Sequence, residues 1–170
     1  MKLCIEMQVF CCNYREIDYS FKATEEVIDI WFDIVNLKKV IFNLLSNAFK
    51  FTKNNGKIKI RISTTENDKK AGKFVKIEIK DDGKGMPKKN LKFIFDRFYQ
   101  IEREENSRSG TGTGIGLALA KSVVKLHNGF IKVKSKEEEG TSFVILLPFG
   151  DSHLTKDQII NTTNEIDNID

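Results

Sequence analysis

The stretch Ser109–Lys121 reads Ser-Gly-Thr-Gly-Thr-Gly-Ile-Gly-Leu-Ala-Leu-Ala-Lys, a glycine run that passes without a break into an amphipathic helical pattern. Glycines let backbone approach an anion closely, and a helix start adds free N–H groups and the positive end of a dipole. The chemistry this suits is phosphate binding. A second segment, Asn43–Phe51, places Lys39, Asn43, Ser46, Asn47 and Lys50 within one arc of about 100° on a helical wheel. Asn43 and Asn47 lie one turn apart and point the same way. Their neutral amide oxygens suit Mg²⁺ already carried by phosphates, and Lys50 reaches the next turn. The plainer reading of the same arc is the wet face of an amphipathic helix.

A third segment, Asp81-Asp-Gly-Lys-Gly-Met-Pro87, follows directly on the alternating run Val75, Ile77, Ile79. Asp81 keeps the parity of those apolar residues and should point inward, where an ionised carboxylate needs a dedicated donor. The exocyclic amino group of adenine is such a donor, and Gly83 and Gly85 would let a flat base lie against backbone. A tight turn with an Asp cap is the competing reading. The fourth segment, Phe93–Tyr99, is dense in aromatics. Phe95 and Phe98 are spaced i, i+3, which predicts core packing. Arg97, between them, is a candidate phosphate contact or ion-pair partner.

Commoner phosphate motifs do not fit. A Walker A loop needs Lys-Ser/Thr after its last glycine, and Leu117-Ala118 follows Gly116. A Rossmann fingerprint needs a strand just before it, whereas Ile101–Ser109 is a charged loop. The His-Arg-Asp and Asp-Phe-Gly sequences of protein kinases are missing.

The elements that must hold these segments follow from periodicity. Tyr19, Phe21 and Ala23 suggest a first strand, and Val27–Phe32 a second. Asp33 opens a long helix through Phe51, with Leu37, Val40, Ile41, Leu44, Leu45 and Ala48 on its broad apolar face. Asn54-Asn55-Gly56 marks a turn into the alternating strand Ile58, Ile60, Ile62; Asn67–Lys73 is a polar turn before Val75–Ile79. Leu91–Phe98 reads as helical. Ile101–Gly112 is a long polar loop, of a kind usually functional or mobile. Helix Ile115–His127 ends at Asn128-Gly129, and strands Ile131–Lys134 and Ser142–Leu147 flank a turn at Glu139-Gly140. The strands cluster into hairpins and the helices are too few for a parallel series, which predicts an α+β two-layer sandwich, with helices on one face of a mixed sheet.

At 170 residues, 40% hydrophobic and 31% charged, the chain has the size and composition of one globular domain. Its net charge of +4 forms no block along the sequence, which reads as a solvated basic surface rather than a nucleic-acid site. Cys4, Cys11 and Cys12 are odd in number and crowded at one end, pointing to a reducing compartment. Met1–Cys12 is too short for a membrane span and lacks a cleavage signature. Residues 1–16 are expected to be a lead-in from a longer parent, 17–150 the domain, and 151–170 a polar linker, in which Thr155 to Gln158 could cap one short helix ahead of Ile159 and Ile160.

Taken together, the four segments resemble the boxes of the catalytic, ATP-binding domain of sensor histidine kinases, within the GHKL ATPase superfamily and its Bergerat fold. Asn43–Thr52 resembles the N box, Asp81–Gly85 the first glycine box, Phe93–Tyr99 the F box and Gly112–Leu117 the second glycine box, across roughly Ile17 to Pro148. The resemblance implies that Asn47 holds Mg²⁺, that Asn43 and Lys50 lie at the phosphates with Arg97, and that Asp81 binds the adenine amino group. It implies that Phe51, Gly83, Gly85, Met86 and Thr141 form the adenine pocket. Gly112, Thr113, Gly114, Ile115, Gly116 and Leu117 would cradle phosphates beneath a lid formed by Ile101–Thr111. Lys84 and Asp82 depart from the family's usual residues there.

Gyrase-like, mismatch-repair and chaperone relatives place a carboxylate one turn before the metal Asn to activate water; here that position is Asn43, which is no general base near neutral pH. The implied activity is therefore transfer of the γ-phosphate of Mg-ATP to a histidine elsewhere. Neither His127, at a helix end where a capping role is expected, nor His153 is followed by the acidic residue of family phosphoacceptors. The implied partners are a phosphoacceptor histidine domain in the parent chain and a downstream receiver domain, with no nucleic acid and a monomeric fragment. Ile30–Asp33, Asn47–Thr52 and Gly150–Leu154 further resemble hybrid two-component sensors of Bacteroides-type bacteria, which implies the cytoplasmic part of an inner-membrane sensor. A serine kinase of anti-sigma type and a non-catalytic nucleotide-binding module are the alternatives within the fold.

Overall fold

The computed structural model describes residues 16–25, 28, 30–66, 72–101, 112–152 and 154–155. The lead-in, the turn at 67–71, the lid segment at 102–111 and nearly all of the C-terminal linker lie outside the described residues.

Among the described residues, five strands form one sheet in the order β1-β2-β3-β5-β4: β1 (Asp18–Ala23), β2 (Lys57–Glu66), β3 (Lys73–Asp81), β4 (Phe130–Lys136) and β5 (Gly140–Pro148). β1 runs parallel to β2, and every other pairing is antiparallel, so the sheet is mixed as expected. Two helices, α1 (Ile34–Phe51) and α2 (Gly116–Leu126), bury one stripe each. Leu37, Val40, Leu44 and Ala48 of α1, with Ala120, Val123 and Val124 of α2, share a single core with Ile58, Ile77, Ile79, Ile145 and Leu147 of the sheet. Burying a side chain such as Leu44 contributes about 1.5–3 kcal/mol.

Helix α1 starts where Asp33 stops the extended chain. Its carboxylate accepts from the Val35 and Asn36 N–H groups at 2.8 and 3.1 Å, satisfying two of the orphan donors of the first turn. These bonds, led by the one from Asn36, hold the Asp33 carboxyl below its usual range. His127, beyond the end of α2, closes that helix as expected: Nδ1 donates to Val123 O at 2.9 Å. Its ring also stacks on Phe32 at 3.6 Å, and Nε2 accepts from the Asp33 N–H at 3.3 Å, which ties the end of α2 to the start of α1.

Three expectations need correction. Among its described residues, Val27–Phe32 shows no ladder: Ile28 and Ile30 are both buried, and Ile30 forms an isolated parallel bridge to Gly150. That bridge lies beyond Pro148, where β5 has already ended. Leu91–Phe98 is not an α-helix. After a 3-10 turn at Lys88–Asn90, its N–H groups bond three residues back, as in Phe93 to Asn90 and Asp96 to Phe93. The segment cannot wind further because the Phe98 N–H is committed to Gly114 O at 3.0 Å. Nor is Phe98 a core residue: it is 70% exposed, with left-handed backbone (φ 64°), while Ile94 is buried and Phe95 packs edge-on against Phe143.

Candidate functional site

Asp81 ends β3 on the core side of the sheet and is 5% exposed. Its Oδ1 accepts from Gly83 N at 3.0 Å and from Thr141 N, across the sheet on β5, at 3.2 Å. Both bonds fall on Oδ1, so among the described residues Oδ2 is the oxygen left for an incoming donor. Burial pushes the carboxyl above its usual range, against the pull of those two N–H groups. Thr141 is held in turn, its hydroxyl 2.9 Å from that of Ser135. Sequence reasoning missed Ser135, although the β4–β5 register that pairs it with Thr141 makes the contact natural.

The Gly83–Gly85 turn lies against the end of α1. A Cβ on Gly83 would stand 2.4 Å from Phe51 O and 2.9 Å from Asp81 Oδ1, and Lys84 N donates to Phe51 O at 3.2 Å. Gly85 has left-handed backbone (φ 62°), and a Cβ there would come within 1.9 Å of Lys136 O, so glycine is required. Met86 is half-buried against the core beside this turn. Gly83 and Thr141 thus bond Asp81 directly, the Phe51 backbone backs Gly83, and Gly85 and Met86 continue the same turn. Asp82 acts on the strand behind it instead, where its carboxylate accepts the Lys57 N–H at 2.7 Å and fixes the start of β2. Lys84 is exposed, and its carbonyl accepts from Glu138 N at 2.8 Å.

The other end of the site forms where α1 meets the glycine run. A Cβ on Gly116 would stand 3.1 Å from Asn43 Oδ1, and one on Gly112 would stand 3.8 Å from Lys50 Nζ. Gly114 has left-handed backbone (φ 69°), and its missing Cβ leaves room for the Phe98 backbone at 2.7 Å. Helix α2 begins here, and Ile115 provides no side-chain cap. The first helical N–H bond that closes is Leu119 to Ile115, so the N–H groups of Gly116, Leu117 and Ala118 face the start of the helix as donors. Gly112, Thr113 and Ile115 are exposed, and Leu117 packs on the core. Arg97 is exposed, one residue before the Phe98–Gly114 tether, and forms no ion pair among the described residues.

Helix α1 is therefore a shared wall. Asn43 and Lys50 line it toward the glycine run, Asn47 follows Asn43 by one turn, and the Phe51 backbone meets the Gly83 turn, with about 12 Å of helix rise from residue 43 to 51. No cluster of three or more His, Cys, Asp or Glu suited to a metal occurs among the described residues.

Residues 32–151 match the family model described as histidine kinase-, DNA gyrase B-, and HSP90-like ATPase. The chain belongs to this family. It is 35% identical over 153 residues to histidine kinase P4 of Formosa agariphila, covering 89% of this chain and 11% of that one. It is also 35% identical over 133 residues to sensor protein RprX of Bacteroides fragilis, covering 78% and 24%. The solved catalytic domain of histidine kinase ThkA superimposes with a TM-score of 0.65 at 27% identity, over 79% of this chain and 81% of that one. The sheet and two helices are thus the α+β sandwich of histidine kinase catalytic domains, the Bergerat fold. The chain spans a tenth to a quarter of the length of these curated relatives.

Proposed function

We propose that residues 17–150 bind Mg-ATP across the α1 wall and present its γ-phosphate to a histidine on a separate phosphoacceptor domain. The observation that carries this reading is the contrast between the two helix starts. Helix α1 is closed by its own Asp33 carboxylate, whereas α2 opens with no side-chain cap among the described residues, beside Asn43 and Lys50. A helix start of this kind with a lysine opposite suits an anion, and ATP is an anion whose base can extend to Asp81 while its phosphates stay at the helix start.

The adenine amino group donates to Asp81 Oδ2, and the base lies between Met86, the Gly83–Gly85 turn and Phe51. The N–H groups at the start of α2, Lys50 and Arg97 neutralise the phosphates. The donor set on this stretch of α1 is neutral amides and a lysine, which fits a Mg²⁺ that brings its counter-charge with the phosphates; Asn47 would hold it. When bound, Mg²⁺ offsets charge on the phosphoryl oxygens. Asn43 abstracts no proton from water, so the site positions ATP without activating hydrolysis. A histidine nitrogen attacks the γ-phosphorus in line, the bond to the β–γ bridging oxygen breaks, and ADP leaves. The parent is proposed to be a two-component sensor whose kinase part faces the cytoplasm, with a receiver domain as the eventual acceptor.

The test uses γ-labelled ATP and a supplied dimerisation domain carrying a phosphoacceptor histidine. Label that transfers to that domain and is lost in acid supports the proposal. Acid-stable label indicates a serine acceptor and contradicts it, as does Mg-ATP binding with no transfer.

A further inference from the structure

The sheet face opposite the helices is dominated by positive charge. Strand residues alternate between the core and this open face, and pairing aligns them in rows. One row runs Ser20, Lys59, Lys80, Ser142 and Lys134, and the next Lys22, Arg61, Glu78, Val144 and Lys132. Lys57 and Lys136 extend the face on one side and Lys76 on the other. Nine cations thus stand on four strands, against the strand carboxylates of Asp18 and Glu78; Lys76 is paired with Glu78, Lys136 with Glu139 in the adjoining turn, and Asp82 sits at the Lys57 N–H. The whole chain carries 28 basic and 24 acidic residues, so the rest of it is net acidic. The basic excess that looks scattered along the sequence is gathered here.

Solvation of an open face needs polar residues, not a single sign. Lys59 opposite Lys80 and Lys22 opposite Arg61 are directly facing like charges, which destabilise a sheet. Neighbours on the face are about 5–7 Å apart along and across strands, within a Debye length of about 8 Å, so their fields add. Glu78 registers this setting: although burial opposes its ionisation, the Ser142 hydroxyl at 3.0 Å and Lys76 at 3.3 Å hold its carboxyl below the usual range.

We propose that this face docks on an anionic lipid surface, leaving the nucleotide site on the opposite side of the sheet free. Eight of the nine cations are lysines, hydrated point charges without the guanidinium fork that selects individual phosphates. They spread over the breadth of the face rather than along a groove. Its aromatic rings, Phe74 and Phe130, pack on each other with centroids 6.3 Å apart, and Phe74 is buried, so the face presents no stacking platform for nucleic-acid bases.

Co-sedimentation of the full chain with phosphatidylcholine vesicles, with and without phosphatidylserine, tests this. The expected result is retention only with phosphatidylserine, weakening as salt rises. The variant Lys59→Gln/Lys80→Gln/Lys134→Gln should bind on the order of a hundred-fold more weakly, with its thermal melt preserved. If that variant does not fold, Lys22→Gln/Lys132→Gln tests the second row and should lose about ten-fold or more. Absence of phosphatidylserine-dependent retention, or equal binding by a folded variant, would overturn the proposal. So would preferential capture by duplex DNA or poly-L-glutamate at the same ionic strength.

Discussion

Asp81 concentrates the chemistry of this chain in one side chain. It is buried, hydrogen-bonded on one oxygen, and held toward its protonated form by desolvation. A carboxyl whose folded pKa is raised binds its proton more tightly in the folded than in the unfolded chain. Its ionised form therefore destabilises the ligand-free fold as pH rises through that pKa. Asp81→Asn keeps the acceptor for Gly83 and Thr141 and removes the charge. Its ligand-free melting temperature at neutral pH should equal or exceed that of the parent chain, with the difference shrinking in acid; a clear loss of stability at neutral pH would contradict this expectation. The same reasoning makes adenine-nucleotide affinity of the parent fall as pH drops and Oδ2 becomes protonated. The inward aim of Asp81 was legible because it keeps the parity of Ile77 and Ile79. The contact by which Asp82 holds the start of β2 was not, because its partner, the Lys57 N–H, lies 25 residues away.

At the level of elements, α1 was readable nearly to the residue, because an apolar stripe of 3.6 period and an Asp cap agree. The F-box segment was misread. Phe95 and Phe98 suit a helix by spacing, but its bonds are of 3-10 type and Phe98 turns outward to reach Gly114. That tether is non-local, and nothing in a local window announces it. It also makes Gly114 sensitive: Gly114→Ala forces a side chain into left-handed backbone against Phe98. It should cost on the order of 1–3 kcal/mol in a denaturant titration and weaken nucleotide binding as the α2 start shifts. Unchanged stability would mean that the tether does not constrain the glycine run. Asp33→Ala removes the α1 cap and should cost about 1 kcal/mol, with little effect on nucleotide affinity. Because the folded-state pKa of Asp33 is lowered, its contribution is present at neutral pH and lost as pH falls through that pKa.

For the whole molecule, sheet, helices and box order were legible from periodicity and turn residues, and the mixed α+β sandwich matches the expectation. What escaped the sequence was a property of the assembled sheet. Lysines spaced two apart on separate strands look dispersed in a line and become one basic face only when the register is known. The two faces of the molecule then divide: the proposed nucleotide site between the helices and the strand ends, the basic charge on the open side. The central claim is that α1 and Asp81 together hold adenine, and inosine triphosphate tests it directly, because it carries a carbonyl where adenine has its amino group. Calorimetric titration of the full chain with Mg-ATP and Mg-ITP should show ATP bound about 10–150-fold more tightly, the value of a hydrogen bond to a charged group. That preference should collapse in Asp81→Asn. Equal affinity for the two nucleotides in the parent chain, or an undiminished preference in the variant, would contradict the claim.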